Sequence, residues 1–281
     1  MFVTRFAPSP TGLLHRGHAF SALTAQRAAC EASGRFLLRI EDIDRTRCRP
    51  EYEAAIFEDL AWLELDWETP VRRQSDHMAD YRAALDRLAG RGLVYRCFRT
   101  RREIAEAIEA APHGAMEAWR GSPLAPAEEQ RRLAVGDAYA WRLSLAAAEW
   151  ELGGFDGLTF VEEGEAPGGE RGIVAARPAL GGDVVLARKD VGVAYHLAVV
   201  HDDALQGVTH VIRGQDLFEA THVQRLLQAL LGLPTPAYRH HRLLSGPDGK
   251  RFAKRDGAET LRSLREAGMT AAELRAELGF D

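Results

Sequence analysis

Cysteine is scarce in this sequence, and long apolar runs are missing from it. The 281 residues include three cysteines, Cys30, Cys48 and Cys97, and none of them forms a C-x-x-C pair. A disulfide framework is therefore not indicated, and we expect reduced thiols. No apolar stretch approaches the roughly 18 residues that a membrane-spanning helix requires, and the N-terminus lacks the basic and apolar regions of a signal peptide. We expect a cytoplasmic protein that is not bound to a membrane.

An excess of positive charge is also missing. Lysine and arginine total 36 against 41 aspartates and glutamates, so the formal net charge is −5. This balance argues against a protein that coats nucleic acid indiscriminately, although it leaves room for a local basic face that binds tRNA. The composition, 46% hydrophobic and 27% charged, is that of an ordinary globular protein, and the length suits one large domain or two smaller ones.

The N-terminal part predicts the opening of an α/β fold. Its patterns predict a strand, a loop, a helix and a second buried strand, over 1–6, 7–12, 18–32 and 35–40. Three carboxylates, Glu41, Asp42 and Asp44, follow the second strand. Open parallel sheets place their ligands at this end of a strand.

The rest of the chain predicts further helices and strands around an insertion. Apolar positions at helical spacing predict helices over 51–63, 80–91, 217–231 and 260–278. Short apolar runs predict strands over 93–95, 184–188 and 195–200. An Ala/Glu-rich stretch followed by Gly- and Pro-rich loops marks 99–176 as an insertion.

A loop and a histidine motif at the start of the first helix suit a nucleotide. The loop reads RFAPSPTG over 5–12, and His15-Arg16-Gly17-His18 follows it. Imidazoles and free backbone N–H groups at a helix N-terminus favour the anionic phosphates of ATP. Taken alone, the same residues are equally compatible with a proline-held loop that carries two surface histidines.

In their order along the chain, these strings resemble the glutamate and glutamine subgroup of the class I aminoacyl-tRNA synthetases. RFAPSPTG with HRGH resembles the subgroup's HIGH motif, and RIEDID over 39–44 resembles its RIEDTD segment. Segments 195–203 and 210–217 resemble those that complete the amino-acid and nucleotide pockets, and 249–256 resembles a degenerate KMSKS loop. The resemblance implies an α/β fold, a Rossmann-type parallel sheet with an inserted α+β subdomain.

The resemblance also implies which residues act on ATP. Glutamate activation needs no covalent enzyme nucleophile, because the ionised α-carboxylate attacks the α-phosphorus of ATP, and the protein aligns the reactants and neutralises charge. His15, His18 and Lys254 are implied for this catalytic task, and Gly17 joins them in the ATP site. Mg²⁺ is expected on the phosphates, held by ATP and water, with no protein ligand.

Glutamate itself would be recognised by two cations and one carboxylate. Because a guanidinium grips a carboxylate through two parallel hydrogen bonds, Arg5 and Arg213 are the implied partners of the substrate's carboxylate, and Glu41 is that of its α-ammonium. The same positional match completes the glutamate pocket with Ala7, Ser9 and Tyr195.

The resemblance divides the chain into four parts. Residues 1–98 and 177–240 would form the two halves of the catalytic domain, 99–176 an acceptor-binding-like insertion, and 241–281 the KMSKS-like loop with a C-terminal helical segment. Because about 26 residues follow Arg255, we expect no anticodon-binding domain. The resemblance then narrows to truncated, monomeric paralogues of glutamyl-tRNA synthetase. These activate glutamate without tRNA and attach it to the queuosine base in the anticodon loop of tRNA(Asp).

The insertion departs from the family at a metal site. The family often holds zinc there on a C-x-C pair with a downstream Tyr and Cys, whereas here Arg99 follows Cys97 and no later cysteine exists. His113 alone does not supply the missing ligands of a four-coordinate zinc. We therefore expect neither zinc nor any other protein-held metal.

Three residues of the insertion, Arg101, Trp119 and Trp141, are candidates for contact with a single-stranded anticodon loop. Packing in the interior is the alternative for both tryptophans. Two other functions stay open for the whole chain: a small-molecule adenylyltransferase of the same superfamily, and a catalytically silent tRNA-binding paralogue. ATP turnover discriminates the silent protein from either enzyme.

Overall fold

The computed structural model describes residues 1–109, 118–188, 192–244 and 259–280. Its strands are β1 (Val3–Phe6), β2 (Arg35–Ile40), β3 (Glu68–Arg73), β4 (Val94–Cys97), β5 (Ala140–Leu143), β6 (Thr159–Glu162), β7 (Gly172–Ala175), β8 (Val185–Arg188), β9 (Gly192–Val193), β10 (His210–Gly214) and β11 (Ala237–His241). Its helices are α1 (Arg16–Glu31), α2 (Pro50–Trp62), α3 (Met78–Gly90), α4 (Arg101–Glu109), α5 (Pro126–Ala134), α6 (Leu145–Leu152), α7 (Tyr195–Leu205), α8 (Phe218–Leu231), α9 (Leu261–Glu266) and α10 (Ala271–Leu278). Within these ranges, no helix has the length and apolarity to span a membrane.

A parallel sheet forms the centre of the molecule. β1 pairs with β2, β2 with β3, and β10 with β11, all in parallel. Two hydrogen bonds bring β1 beside β10: Thr209 N donates to Val3 O at 2.9 Å, and Val3 N donates to Thr209 Oγ1 at 2.9 Å. The parallel strands therefore run in the order β3, β2, β1, β10, β11, which is that of a Rossmann-type sheet and confirms the predicted fold class.

The central strands are apolar on both faces, and helices cover them. Phe36, Leu38 and Ile40 of β2 belong to one buried cluster and Leu37 to another, because successive side chains of a strand point to opposite faces. Such continuous apolar runs are typical of parallel strands with helices on both sides. Arg39, in the same strand, is also fully buried, so its charge requires compensation inside the protein.

One predicted strand is wrong. Segment 195–200 lies in helix α7, where the residues from Leu197 to Val200 are all buried. A short apolar run that is buried all round suits a helix as well as a strand, so its pattern alone could not separate them.

The helix predicted over 260–278 is two helices, because Gly268 takes a φ of +91° between α9 and α10. Among the described strands, those without a counterpart among the predicted strands are β3, β5, β6, β7, β9, β10 and β11.

The segment 99–176 contributes strands to two sheets. Its strand β5 pairs antiparallel with β4 and β8. Its strand β6 instead pairs in parallel with β11, through Glu162 opposite Tyr238, and antiparallel with β7. Chain from the predicted insertion thus lies directly beside a strand of the parallel sheet, while the domain boundaries themselves stay a prediction.

Candidate active site

A cleft of about 390 Å³ opens at the carboxyl ends of the parallel strands. Its wall is formed by the ends of β1, β2, β10 and β11 and by the beginnings of α1 and α7, as open α/β sheets place their ligand sites. A second cleft of about 260 Å³ shares Glu41 and Tyr195 with the first. Ligand groups bound in the two clefts would therefore come together at these two residues.

Two backbone hydrogen bonds tie down the loop that follows β1. Glu41 N donates to Pro8 O and Arg49 N donates to Pro10 O, both at 3.0 Å. These bonds fasten the proline-rich loop to the chain that leaves β2.

The two histidines of the HRGH motif cap the start of α1. His15 Nδ1 accepts a hydrogen bond from Gly17 N at 3.1 Å, and His18 Nδ1 accepts one from His15 N at 3.2 Å. Their rings lie 3.9 Å apart. A Cβ atom at position 17 would lie 3.0 Å from the His15 ring, so any larger residue there would require that imidazole to shift slightly.

A network of buried charges lies beneath the cleft. Arg5 Nε and Nη2 donate to the Asp203 carboxylate at 3.0 and 3.4 Å. Arg39 Nη1 donates to Asp203 Oδ1 at 2.7 Å, and Arg39 Nη2 donates to Glu41 Oε1 at 3.0 Å. Two guanidiniums thus face two carboxylates, and the charges of this network balance.

Burial and ion pairing set the pKa values in this network. Burial opposes ionisation of Asp203, but Arg5 and Arg39 outweigh it and lower the pKa of that carboxyl. For Glu41 burial dominates over Arg39 and Arg5, and its pKa is raised. Burial disfavours the charge of Arg39, yet Asp203, Glu41 and Asp202 together raise its pKa.

Arg213, on the opposite wall, has different surroundings. Its Nε donates to His240 Nε2 at 3.2 Å, its Nη1 to the Tyr195 hydroxyl at 3.3 Å, and its Nη2 to Thr221 Oγ1 at 2.7 Å. Within the described residues, no carboxylate lies within ion-pair distance of this buried guanidinium. Burial, reinforced by Arg213, lowers the pKa of His196 to about 4, so that imidazole is neutral at pH 7. Arg213 therefore keeps a positive charge that a ligand carboxylate can neutralise.

The structure brings most of the predicted site residues together. The larger cleft is lined by Arg5, Ala7, His15, Gly17, His18, Glu41, Tyr195 and Arg213. Ser9 lies in the adjoining cleft. Lys254 lies outside the described residues, but Leu244 on one side of that segment lines the cleft, and Thr260 on the other side bridges to His15.

Several residues of the site had no predicted role. Arg39 and Asp203 lie within the sequence motifs on which the family resemblance rests. For Arg39, a charged residue inside the apolar run of β2 could have indicated a buried ion pair. Thr221, Glu162 and His240 gave no such signal. Glu162 and His240 are joined to each other at 2.5 Å, a contact between strands that only the fold creates.

The residues considered for RNA contact lie in different places. Arg101 lines the smaller cleft beside Ser9. Trp119 packs against the buried cluster around Cys97 and lies 5.4 Å from the Arg99 guanidinium, and Trp141 lies under Arg96 at 4.4 Å. In the part of the chain that the structure describes, no group of His, Cys, Asp and Glu side chains could hold a metal ion. The expectation about zinc stays a prediction.

Comparison with known proteins decides the family. The model of the tRNA synthetases class I (E and Q) catalytic domain matches residues 1–143 and 170–278. The chain belongs to this family. It is accordingly an enzyme of the aminoacyl-tRNA synthetase class, as its motifs predicted.

Individual relatives narrow the similarity. The chain is 48% identical to a Glutamyl-Q tRNA(Asp) synthetase of Rhodobacter capsulatus, over 99% of this chain and 100% of the relative. It is 41% identical to one of Symbiobacterium thermophilum, over 100% of this chain and 86% of the relative. A glutamate-tRNA synthetase structure from Elizabethkingia anophelis superimposes with a TM-score of 0.74 at 26% identity, over 95% of this chain. The chain spans about half of that solved synthetase, 54% of its length.

Proposed function

We propose that this protein activates L-glutamate with ATP, without the help of tRNA, and transfers it to the queuosine base in the anticodon loop of tRNA(Asp). The surroundings of Arg213 carry the proposal. A buried guanidinium whose described partners are all neutral needs an acidic ligand, and it lies in the same cleft as the HRGH end of α1. The names of the two relatives above support the same choice of substrate and tRNA.

The arrangement suits attack by one carboxylate of glutamate while the other is held. Arg213 and Tyr195 would bind the side-chain carboxylate, together with Arg5, and Glu41 would accept hydrogen bonds from the α-ammonium. The free α-carboxylate would then attack the α-phosphorus of ATP and expel pyrophosphate. Ala7 and Ser9 would line the same pocket.

The nucleotide would lie along the start of α1. His15 and His18 would contact its phosphates and Gly17 would allow their close approach, since the helix N-terminus favours negative charge. Lys254 would neutralise charge that develops on the leaving pyrophosphate. Mg²⁺ would enter as part of the ATP complex and not through a protein site.

The second step would move the glutamyl group from the adenylate to the tRNA, with release of AMP. The smaller cleft would be the route to the reaction centre, because it meets the first at Glu41 and Tyr195 and has Arg101 on its wall. A basic residue there would contact the phosphates of a single-stranded loop. A cytoplasmic location and a monomeric state belong to the same proposal.

Pyrophosphate exchange into ATP tests the first step. Purified protein with ATP, Mg²⁺ and glutamate, but no tRNA, is expected to exchange pyrophosphate, whereas aspartate and glutamine are expected to support little exchange. A strict requirement for tRNA would overturn the tRNA-independent part of the proposal. No exchange even with tRNA would favour a silent tRNA-binding protein.

Glutamate transfer tests the second step. Labelled glutamate is expected to become attached to tRNA(Asp) that carries queuosine and not to the same tRNA without that base. Exchange without transfer to any tRNA would favour a small-molecule adenylyltransferase. Transfer to tRNA(Glu) instead would contradict the proposed acceptor.

A further inference from the structure

Glu162 is a buried carboxylate outside the cleft, and it reaches Arg213 through one imidazole. Glu162 Oε2 lies 2.5 Å from His240 Nδ1, and Arg213 Nε donates to His240 Nε2 at 3.2 Å. Glu162 and His240 are both shielded from solvent. The chain of contacts therefore runs from β6 through β11 to the guanidinium on β10.

The partners on each side fix which nitrogen of His240 carries the proton. A carboxylate accepts only, so His240 Nδ1–H donates to Glu162. His240 Nε2 then keeps a lone pair, which accepts from Arg213. The opposite tautomer would set an Nε2–H against the Nε–H of Arg213 and push the guanidinium away. Burial and the nearby Arg213 lower the pKa of His240, although Glu162 opposes them, so the imidazole is neutral at pH 7.

The carboxylate of Glu162 is itself held by the backbone. Its Oε1 accepts from His240 N at 2.9 Å and from Gly164 N at 2.8 Å. A Cβ atom at position 164 would lie 2.2 Å from His240 O, so the close approach of the two backbones requires glycine. Oε1 is thus committed, and only Oε2 is available to the imidazole.

We infer that Glu162 and His240 are positioning residues for Arg213, and that they thereby set the preference of the cleft for glutamate over glutamine. This inference rests on the proposed function. A guanidinium held through Nε and Nη2 presents only donors to the cleft, which match the two acceptor oxygens of a carboxylate. The amide of glutamine would offer N–H groups to those donors. Glu162 lies between 1–143 and 170–278, the stretches that the family model matches.

The variant Glu162→Gln tests this positioning through a defined change. The two backbone N–H groups would retain the amide oxygen, so the new NH₂ group would face His240 Nδ1 and donate to it. His240 would then carry its proton on Nε2. Nuclear magnetic resonance of ¹⁵N-histidine-labelled protein is expected to show the Nδ1–H tautomer in the wild type and the Nε2–H tautomer in this variant.

Kinetics are expected to follow the change of tautomer. If His240 no longer holds Arg213 in place, a hydrogen bond between this guanidinium and the substrate carboxylate is lost. The KM for glutamate should therefore rise about tenfold. The kcat and the KM for ATP should change by less than about twofold, and the ratio of glutamate to glutamine exchange should fall. If Glu162 had a purely structural role, partial misfolding would instead lower the apparent kcat and leave the KM for glutamate and the preference over glutamine unchanged.

Glu163→Gln is the matched control. Glu163 is the next residue and contacts Arg239 and His210 on the surface side, so its removal should leave both the tautomer and the KM for glutamate unchanged. An Nε2–H tautomer in the wild type would overturn the inference even if the variant failed to fold. Wild-type protein without any glutamate-dependent exchange would refute the proposed function instead, and the spectra would still decide the positioning of Arg213.

Discussion

Arg5 and Arg213 line the same cleft and are both buried, yet their charges are treated in opposite ways. Asp203 accepts two hydrogen bonds from Arg5 and a third from Arg39. Among the described residues, Arg213 donates hydrogen bonds to three uncharged side chains, and Tyr195 among them also lines the cleft. Arg5 is paired with a carboxylate inside the protein, whereas the described partners of Arg213 are uncharged, and the proposed function assigns its counter-ion to the substrate.

The sequence predicts the same role for Arg5 and Arg213, but their different surroundings predict different effects on stability and on ligand binding. A buried charge without a counter-ion is costly, so we expect burial of the Arg213 guanidinium to oppose folding more than burial of the Arg5 guanidinium does. For the same reason, a ligand carboxylate that pairs with Arg213 would gain more binding free energy than one that pairs with Arg5. Arg5 can add hydrogen bonds to a ligand, but its charge is already neutralised by Asp203.

The largest expected effect comes from breaking the balanced network. Asp203→Ala removes the only described carboxylate that pairs with Arg5 and leaves Arg39 with Glu41 and Asp202 nearby, and loss of one partner from a buried ion pair costs about 3–5 kcal/mol. Urea denaturation should show this loss in the free energy of unfolding. Asp86→Ala, at an exposed position of α3, is the control and should change stability by less than about 0.5 kcal/mol. Equal losses in the two variants would contradict a compensated network.

Removal of the uncompensated arginine should have the reverse signature. Arg213→Ala removes a buried charge that no carboxylate of the described residues contacts directly, so the unfolding free energy should change far less than in Asp203→Ala. The kcat/KM for glutamate should fall about 100-fold, since charge-assisted hydrogen bonds contribute about 1.5–3 kcal/mol. Pyrophosphate exchange measures this loss, with Arg87→Ala on the exposed face of α3 as control. A loss no larger than that of the control would mean that Arg213 does not bind the substrate.

Acid should have a smaller effect, and a third buried group, His222, should cause it while the Arg5–Asp203 pair stays charged. Burial lowers the pKa of His222 from 6.5 to about 4, so the unfolded chain binds more protons than the folded one between these values. Stability due to His222 is therefore full above pH 6.5 and decreases as the pH falls, by about 2 kcal/mol between pH 7 and about pH 5. Asp203, whose pKa is lowered, stays ionised throughout this range.

The variant His222→Asn checks this assignment. An asparagine oxygen can replace His222 Nδ1 as the acceptor for Arg177 N, a bond of 3.2 Å, but it does not titrate. Unfolding at pH 7 and about pH 5 should show a decrease that is about 2 kcal/mol smaller than in the wild type. The partly exposed His77, replaced by Asn, should leave the decrease unchanged. A decrease in His222→Asn identical to that of the wild type would remove His222 as its cause.

Local patterns were sufficient for much of the fold. The buried strand β2 and helices α2, α3 and α8 follow their sequence patterns closely, because apolar periodicity reports which face of an element is covered. Helix α7 was missed because four consecutive apolar residues, Leu197 to Val200, are all buried, so the sequence shows neither helical nor strand periodicity there. The strands β10 and β11 were missed because their polar residues, such as Arg213 and His240, interrupt the apolar pattern and are buried only through their partners.

What the sequence by itself determined is local. The caps of His15 and His18 on α1 join residues two and three positions apart, so the HRGH string contains all the atoms of that arrangement. Arg5 and Asp203 are separated by 198 residues, and Glu162 and His240 by 78. Asp203 lies in helix α7, whereas Glu162 and His240 lie in the neighbouring strands β6 and β11, so only the tertiary structure brings each pair together. Buried charges are stabilised by groups that are close in space, whatever their separation along the chain, and for this reason only the tertiary structure decided which arginine is neutralised internally and which can receive a ligand.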